Sequence, residues 1–111
     1  MRLTKWKNLV LDEAVFASNG NFFEEKKVNA GLLVLTKKSL YLIYRKGLSK
    51  FVLHAKIPLE KILRTQVTGK VVRVLEFDYR IDSQRKRVKF VSLDKEVRDL
   101  VDEIEYAADN L

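Results

Sequence analysis

Two apolar runs, LLVL at residues 32–35 and LYLIY at 40–44, lie back to back around the polar break TKKS at 36–39. Both runs are too short for helices and are rich in leucine, β-branched and aromatic residues. Each predicts a strand, with a tight turn between them. Gly31 opens the first of these strands, and Gly47 falls in the turn after the second. Residues 50–57 predict the next strand, ended by Pro58, which has no N–H to give to a ladder. Residues 62–68 predict another, with Gly69-Lys70 as its turn. Alternation is clearest over 71–81, where Leu75, Phe77, Tyr79 and Ile81 share one face and Val74, Glu76, Asp78 and Arg80 the other. After the loop signal Asp82-Ser83-Gln84, residues 85–91 alternate again, with Val88 and Phe90 turned inward. Upstream, residues 10–16 predict a weaker strand that Ser18-Asn19-Gly20-Asn21 breaks.

The period changes after Leu93. Val97, Leu100, Val101, Ile104 and Ala108 follow the i, i+3, i+4, i+7 spacing of one helix face. Asp94 is placed to cap this helix, and Glu96 and Asp99 suit the positive end of its dipole. Arg98 and Asp102, four apart, are spaced to pair for ~0.2–0.5 kcal/mol. Asp99, Asp102, Glu103 and Glu105 are left to face solvent. About seven short antiparallel strands must twist and fold over to bury one apolar face, and a last helix with one greasy side suits plugging an end. The expectation is a mostly β single domain over residues 1–111, with 1–9 as an N-terminal extension and no internal repeats.

Length and composition fit this picture. The chain has 111 residues, enough for one core, with 47% hydrophobic and 33% charged residues. It has no cysteine, so there is no disulfide framework, thiolate metal site or thiol nucleophile. No apolar run approaches the ~18 residues of a membrane span. The N-terminus, MRLTKWKNLVLDE, has charge on both sides of a very short apolar stretch, unlike a secretory leader. A cytoplasmic protein is expected. Trp6, between Lys5 and Lys7, is expected to pack over the β body or start the first strand, since the segment is too short to anchor a membrane alone.

The net charge of +7 is unevenly spread. Residues 31–92 carry 15 Lys/Arg against 4 Asp/Glu, whereas residues 93–111 carry 2 against 7. A basic body with an acidic tail attracts anionic partners or serves only to solubilise. Catalytic chemistry has little support. The only histidine, His54, lies between Leu53 and Ala55 without a second ligand or base nearby in sequence and reads as structural. The carboxylates of the last segment are a helix's solvent face, and there is no Gly-rich phosphate loop or G-x-S-x-G element. No catalytic residue, metal, cofactor or small-molecule substrate is expected.

GLLVLTKKSLYLIY followed by KIPLEKI resembles the signature of pleckstrin-homology-like (PH-like) domains, in particular the GRAM and bacterial branches. Those run G-x-L-x-LT-x-x-x-L-x-x-Y/F, then x-I-P-L-x-x-I, then further strands and a C-terminal helix. Gly31, Leu33, Leu35, Thr36, Leu40, Tyr44, Ile57, Pro58, Leu59 and Ile62 carry the likeness, which covers roughly residues 10–111. The family's helix tryptophan is missing, the only tryptophan being Trp6, and this departure favours the GRAM or bacterial branch. The resemblance implies a PH-like barrel of about seven antiparallel strands capped by one C-terminal helix.

In that family, phosphoinositide-binding members use the first, third and sixth inter-strand loops. Here those loops hold Lys26 and Lys27, then Arg45, Lys46 and Lys50, then Arg85, Lys86 and Arg87. Converging Arg and Lys suit phosphate oxygens. The family's lipid binders also place basic residues in the second strand, and residues 31–35 have none, which argues against a stereospecific headgroup pocket. Substitution of Arg85, Lys86 and Arg87 is expected to leave the fold intact, since they fall in a loop and the exposed start of a strand. The expected function is non-enzymatic: a binding or assembly module for protein interaction or self-association. The alternative is peripheral association with anionic membrane lipids through the basic loops. Nucleic-acid binding ranks below both, because Phe77, Tyr79 and Phe90 share the inward register and serve the core rather than base stacking.

Overall fold

The computed structural model describes residues 5–48 and 50–109. The side chains of Trp6, Val101 and Ala108 lie outside that description, and with them the expected placement of Trp6 and part of the helix stripe. A short 3-10 turn over Lys5–Leu9 leads into seven strands, β1 (Ala14–Glu24), β2 (Lys27–Thr36), β3 (Ser39–Lys46), β4 (Lys50–Pro58), β5 (Ile62–Thr68), β6 (Arg73–Ile81) and β7 (Gln84–Ser92). A single helix, α1 (Val97–Asp109), follows. The strands form one antiparallel sheet in the order β4-β3-β2-β1-β7-β6-β5. It is folded over but not closed, with β4 and β5 as its edges.

β1 makes the bend. It pairs with β2 along nearly its whole length but with β7 only over Asn21, Phe22 and Phe23. The expected break at Ser18-Asn19-Gly20-Asn21 is therefore the middle of a strand, and the strand starts at Ala14 rather than at residue 10. Pairing on both sides outweighs the turn propensity of four small polar residues, since Asn21 is matched to Ala30 and to Val91 at once. Ser92 Oγ also donates to the Asn19 carbonyl at 2.7 Å. Gly31 likewise does not open β2 but sits in its middle, opposite Gly20. The TKKS turn forms as expected: Thr36 Oγ1 accepts from the backbone N–H groups of Lys38 (3.2 Å) and Ser39 (3.0 Å).

The inner faces of the folded sheet enclose the main core, with Phe22, Leu33, Leu42, Phe77, Tyr79 and Phe90 among its fully buried members. Val97, Leu100 and Ile104 of α1 insert into it from the side of β5 and β6. Asp94 caps one turn ahead of the helix, its Oδ1 accepting from Glu96 N–H at 3.0 Å. Arg98 does not rely on Asp102, because its Nη2 donates to the Gly69 carbonyl at 2.7 Å and ties α1 to the turn after β5.

A second cluster, Leu32, Val34, Tyr41 and Ile43, faces outward from β2 and β3 and is covered by Leu9, Val10 and Phe51. Over residues 32–36 and 39–44 both faces of these strands are buried, which is why LLVL and LYLIY are continuous runs rather than alternating ones. No helix among the described residues is long and apolar enough to cross a membrane.

Candidate binding surfaces

The turns β1–β2, β3–β4 and β6–β7 lie at the same end of the folded sheet. The register shows this: Gly31 on β2 is matched to both Gly20 and Tyr44, and Phe23 on β1 is matched to both Val28 and Lys89. Strand alternation then decides which cations face the mouth between them. Lys27 continues the inward row of Gly31 and Leu33, Lys46 that of Leu42 and Tyr44, and Lys86 that of Val88 and Phe90. These three lysines, one per loop, line a cleft of about 470 Å3. Lys26 in the first turn and Lys50, opposite Lys46, are exposed on its rim. Arg45, Arg85 and Arg87 take the other parity and face outward. Arg45 lies over the Phe51 ring, 5.5 Å from its centre, and Arg85 and Arg87 grip a carboxylate on the far face of β6. The structure thus gathers Lys27, Lys46 and Lys86 and separates the three arginines from them.

The floor of the cleft is not basic. Glu24, at the end of β1, accepts a hydrogen bond from the Tyr44 hydroxyl, and its Oε1 lies 2.8 Å from His54 Nε2. The His54 ring stacks on Tyr44 with centroids 4.2 Å apart and 9° between planes. His54 is the extra residue of a bulge: Leu42 pairs with Ala55 but Ile43 with Leu53, and the irregularity turns the imidazole toward Glu24. Burial first, then the Glu24 carboxylate, push the Tyr44 hydroxyl far above its ordinary pKa. Burial, with a smaller contribution from Glu24, pushes Tyr79 up to about 12. Both phenols stay protonated. A carboxylate among these lysines opposes a phosphate that enters deeply, whereas Lys26, Lys27, Lys50 and Lys86 have no ion-pair partner among the described residues. Sequence reasoning read His54 as structural and missed its contact with Glu24, because their meeting depends on a bulge and on strands far apart in the chain.

A larger cleft of about 540 Å3 opens on the outer side where β1 and β7 part, among Asn19, Asn21, Arg45, Val72 and Leu93. It contains a single cation and one carboxylate, Asp94, so it offers anions no comparable field.

On the outer face of β6, Asp78 is 4% exposed and holds two arginines. Its Oδ2 accepts from Arg85 Nη2 at 2.7 Å and Nε at 3.1 Å, and its Oδ1 accepts from Arg87 Nε at 2.9 Å. The Arg87 hydrogen bond is the largest influence holding the carboxyl below its ordinary pKa, against the opposing effect of burial. Removing both arginines strands a buried carboxylate, so substitution across residues 85–87 is not neutral for the fold. The folded pKa lies below the unfolded one. The pair's stabilisation is therefore complete above the ordinary carboxylate value of about 3.9 and is lost as pH falls through the folded value. Asp78→Asn should melt below wild type at pH 7, with the gap closing in acid. Thermal melts at pH 7 and pH 3 decide it, and an equal gap at both would show that the carboxylate charge contributes nothing.

No protein-family model and no curated protein matches the chain. Solved structures do share its fold. A structure described by the role of the PH and C1 domains of the Vav1 exchange factor aligns with a TM-score of 0.63 at 16% identity, covering 98% of this chain and 32% of that one. The C-terminal domain of an unknown protein from Leishmania infantum aligns with a TM-score of 0.59 at 14% identity, covering 96% and 93%. A second Vav1 structure, inhibited by an allosteric inhibitor, aligns with a TM-score of 0.56 at 14% identity over 89% of this chain and 27% of that one. The chain spans about a third of the Vav1 chains it matches. With seven antiparallel strands and the C-terminal helix, these likenesses define the fold as PH-like.

Proposed function

We propose that the chain is a non-enzymatic module of the GRAM or bacterial PH type that docks its lysine-rimmed end on anionic membrane surfaces from the cytoplasmic side. The observation that carries this reading is Leu48. It is 99% exposed at the tip of the β3–β4 turn, between Lys46 and Lys50, on the same end as Lys26, Lys27 and Lys86. An apolar tip flanked by cations suits the headgroup boundary, where each basic residue contributes about 1 kcal/mol. The order and spacing of the Gly31–Thr36 and Ile57–Ile62 motifs support the GRAM or bacterial branch. The Glu24 floor supports loose adsorption over recognition of one headgroup.

The test is pelleting with vesicles of graded phosphatidylserine content. Binding should follow the anionic fraction and fade over a few hundred millimolar salt, where the Debye length falls below ~8 Å. Equally charged vesicles with different phosphoinositides should bind alike. Leu48→Asp should weaken binding without changing the melting temperature, since its side chain packs on nothing. A protein that ignores strongly anionic vesicles at low salt overturns the reading, and one that then binds oligonucleotides moves it to nucleic acid.

A further inference from the structure

A second cationic surface lies away from the lysine mouth, on the outer face of β5, β6 and β7. Arg64 on β5 and Arg87 on β7 are matched to Asp78 from its two sides, and Arg80 and Arg85 are matched directly to each other. Four arginines thus surround Asp78, whose oxygens are taken by Arg85 and Arg87, and the face carries one further carboxylate, Glu76, the next outward residue of β6. Arg64 and Arg80 have no ion-pair partner among the described residues. Like charges directly opposite on neighbouring strands repel, and of the Arg80–Arg85 pair only Arg85 is compensated by Asp78, which leaves Arg80 favourable for a further anion.

The same chain offers an acidic surface with the spacing to meet it. Val97, Leu100 and Ile104 are buried, so Asp99, Asp102 and Glu103 form the opposite stripe of α1. All three are exposed and outside any ion pair among the described residues. A helix turn rises 5.4 Å and adjacent strands lie about 4.8 Å apart, so an α-helix laid across three strands keeps its turns nearly in step with them. Carboxylates presented one turn apart then meet guanidinium groups presented one strand apart. Arg is the residue type that pairs with carboxylate through two parallel N–H donors, whereas the lysines of the mouth act as point charges.

We propose that the arginine face of β5–β7 is a docking surface for the acidic stripe of α1 from a second copy of this chain. α1 packs on the inner side of β5 and β6, whereas the arginines leave the outer side of the same sheet. The two surfaces therefore point in opposite directions. No copy reaches its own partner surface, and two copies joined by one such contact leave one arginine face and one acidic stripe unfilled. The contact is head-to-tail and extends to further copies. It uses neither the mouth nor Leu48, so it stands or falls independently of membrane docking.

A charge swap without vesicles tests it. One variant carries Asp99→Lys, Asp102→Lys and Glu103→Lys; the other carries Arg64→Glu and Arg80→Glu, sparing the two arginines that hold Asp78. Circular dichroism first checks that both are folded. At low salt, light scattering on wild type should give a mass that rises with concentration above the 13.0 kDa monomer and returns to it as salt is added. Each variant alone should stay at 13.0 kDa, and an equimolar mixture should assemble again because each supplies the surface the other now complements. Wild type that stays monomeric at low salt and high concentration overturns the proposal. So does assembly of either variant alone, or a mixture of monomeric variants that fails to assemble.

Discussion

Replacing Gly31 by alanine will destabilise the domain more than any other single methyl group added to its sheet. Gly31 sits in the middle of β2, matched to Gly20 on β1 and Tyr44 on β3. A Cβ built there would lie 2.0 Å from the Ile43 carbonyl oxygen, a backbone atom, and 3.1 Å from Cε2 of the buried Phe22 ring. Gly20 is confined in the same way, its Cβ position being 2.5 Å from the Val91 carbonyl oxygen and 2.7 Å from the Phe90 ring. The paired glycines let β1, β2 and β7 close on one another where the sheet folds over, and neither obstruction is the movable end of a flexible side chain. Overpacking in a tight core costs about 1–3 kcal/mol and often more when backbone must shift. In a domain of this size each kcal/mol moves the melting temperature by about 4–8 °C. Gly31→Ala should therefore melt about 10 °C or more below wild type or fail to accumulate as folded protein. Ala30→Ser, one residue away on the exposed outer side, should melt with wild type. An alanine at residue 31 that leaves the melt unchanged would mean that β2 and β3 are not packed as described.

The same stretch shows which information the sequence holds. Strand β5 coincides with the residues its pattern predicts, bounded by Pro58 and Gly69, and β6 and β7 differ by two residues or fewer at either end, because their inward residues alternate with outward ones. The continuous runs of β2 and β3 announce burial on both sides but not what covers the second side. Part of that cover comes from Leu9 and Val10, which have no periodic signal of their own. Turn-forming residues at 18–21 mislead because their conformation is decided by partners nine or more residues away, Leu32, Gly31 and Ala30 on one side and Val91 on the other. Part of the candidate site is legible after all. Three consecutive cations on a strand cannot share a face, so Arg85-Lys86-Arg87 must divide one to two, and the inward register of Val88 and Phe90 assigns Lys86 to the mouth. Asp78 follows from the same rule as an outward residue. That it is buried there depends on the arginines lying across it, which strand alternation alone does not show.

Cutting the chain after Leu93 will abolish cooperative folding. Val97, Leu100 and Ile104 are at most 1% exposed and belong to the same core as Leu59, Leu75 and Phe77. They supply the wall that the unclosed sheet lacks between its edges, where α1 contacts β5, β6 and the short turn at Leu59–Lys61. Full burial of a Val, Leu or Ile side chain contributes ~1.5–3 kcal/mol, so the three together contribute ~5–9 kcal/mol. A small domain has a net stability of only ~5–15 kcal/mol, so their loss consumes most or all of it. Truncation also removes the Arg98 bond to Gly69 and uncovers the inner side of β5, an edge strand. The truncated chain should bind a dye specific for exposed apolar surface, show no sigmoidal melt and associate through its open core. Single substitutions grade the effect. Leu100→Ala should cost about 2–5 kcal/mol, and Glu103→Ala on the exposed stripe should stay within about 0.5 kcal/mol when measured in enough salt to keep the chain monomeric. A truncated protein that is soluble, monomeric and melts in one sharp transition would show that the seven strands hold their own core and that α1 only rests on it.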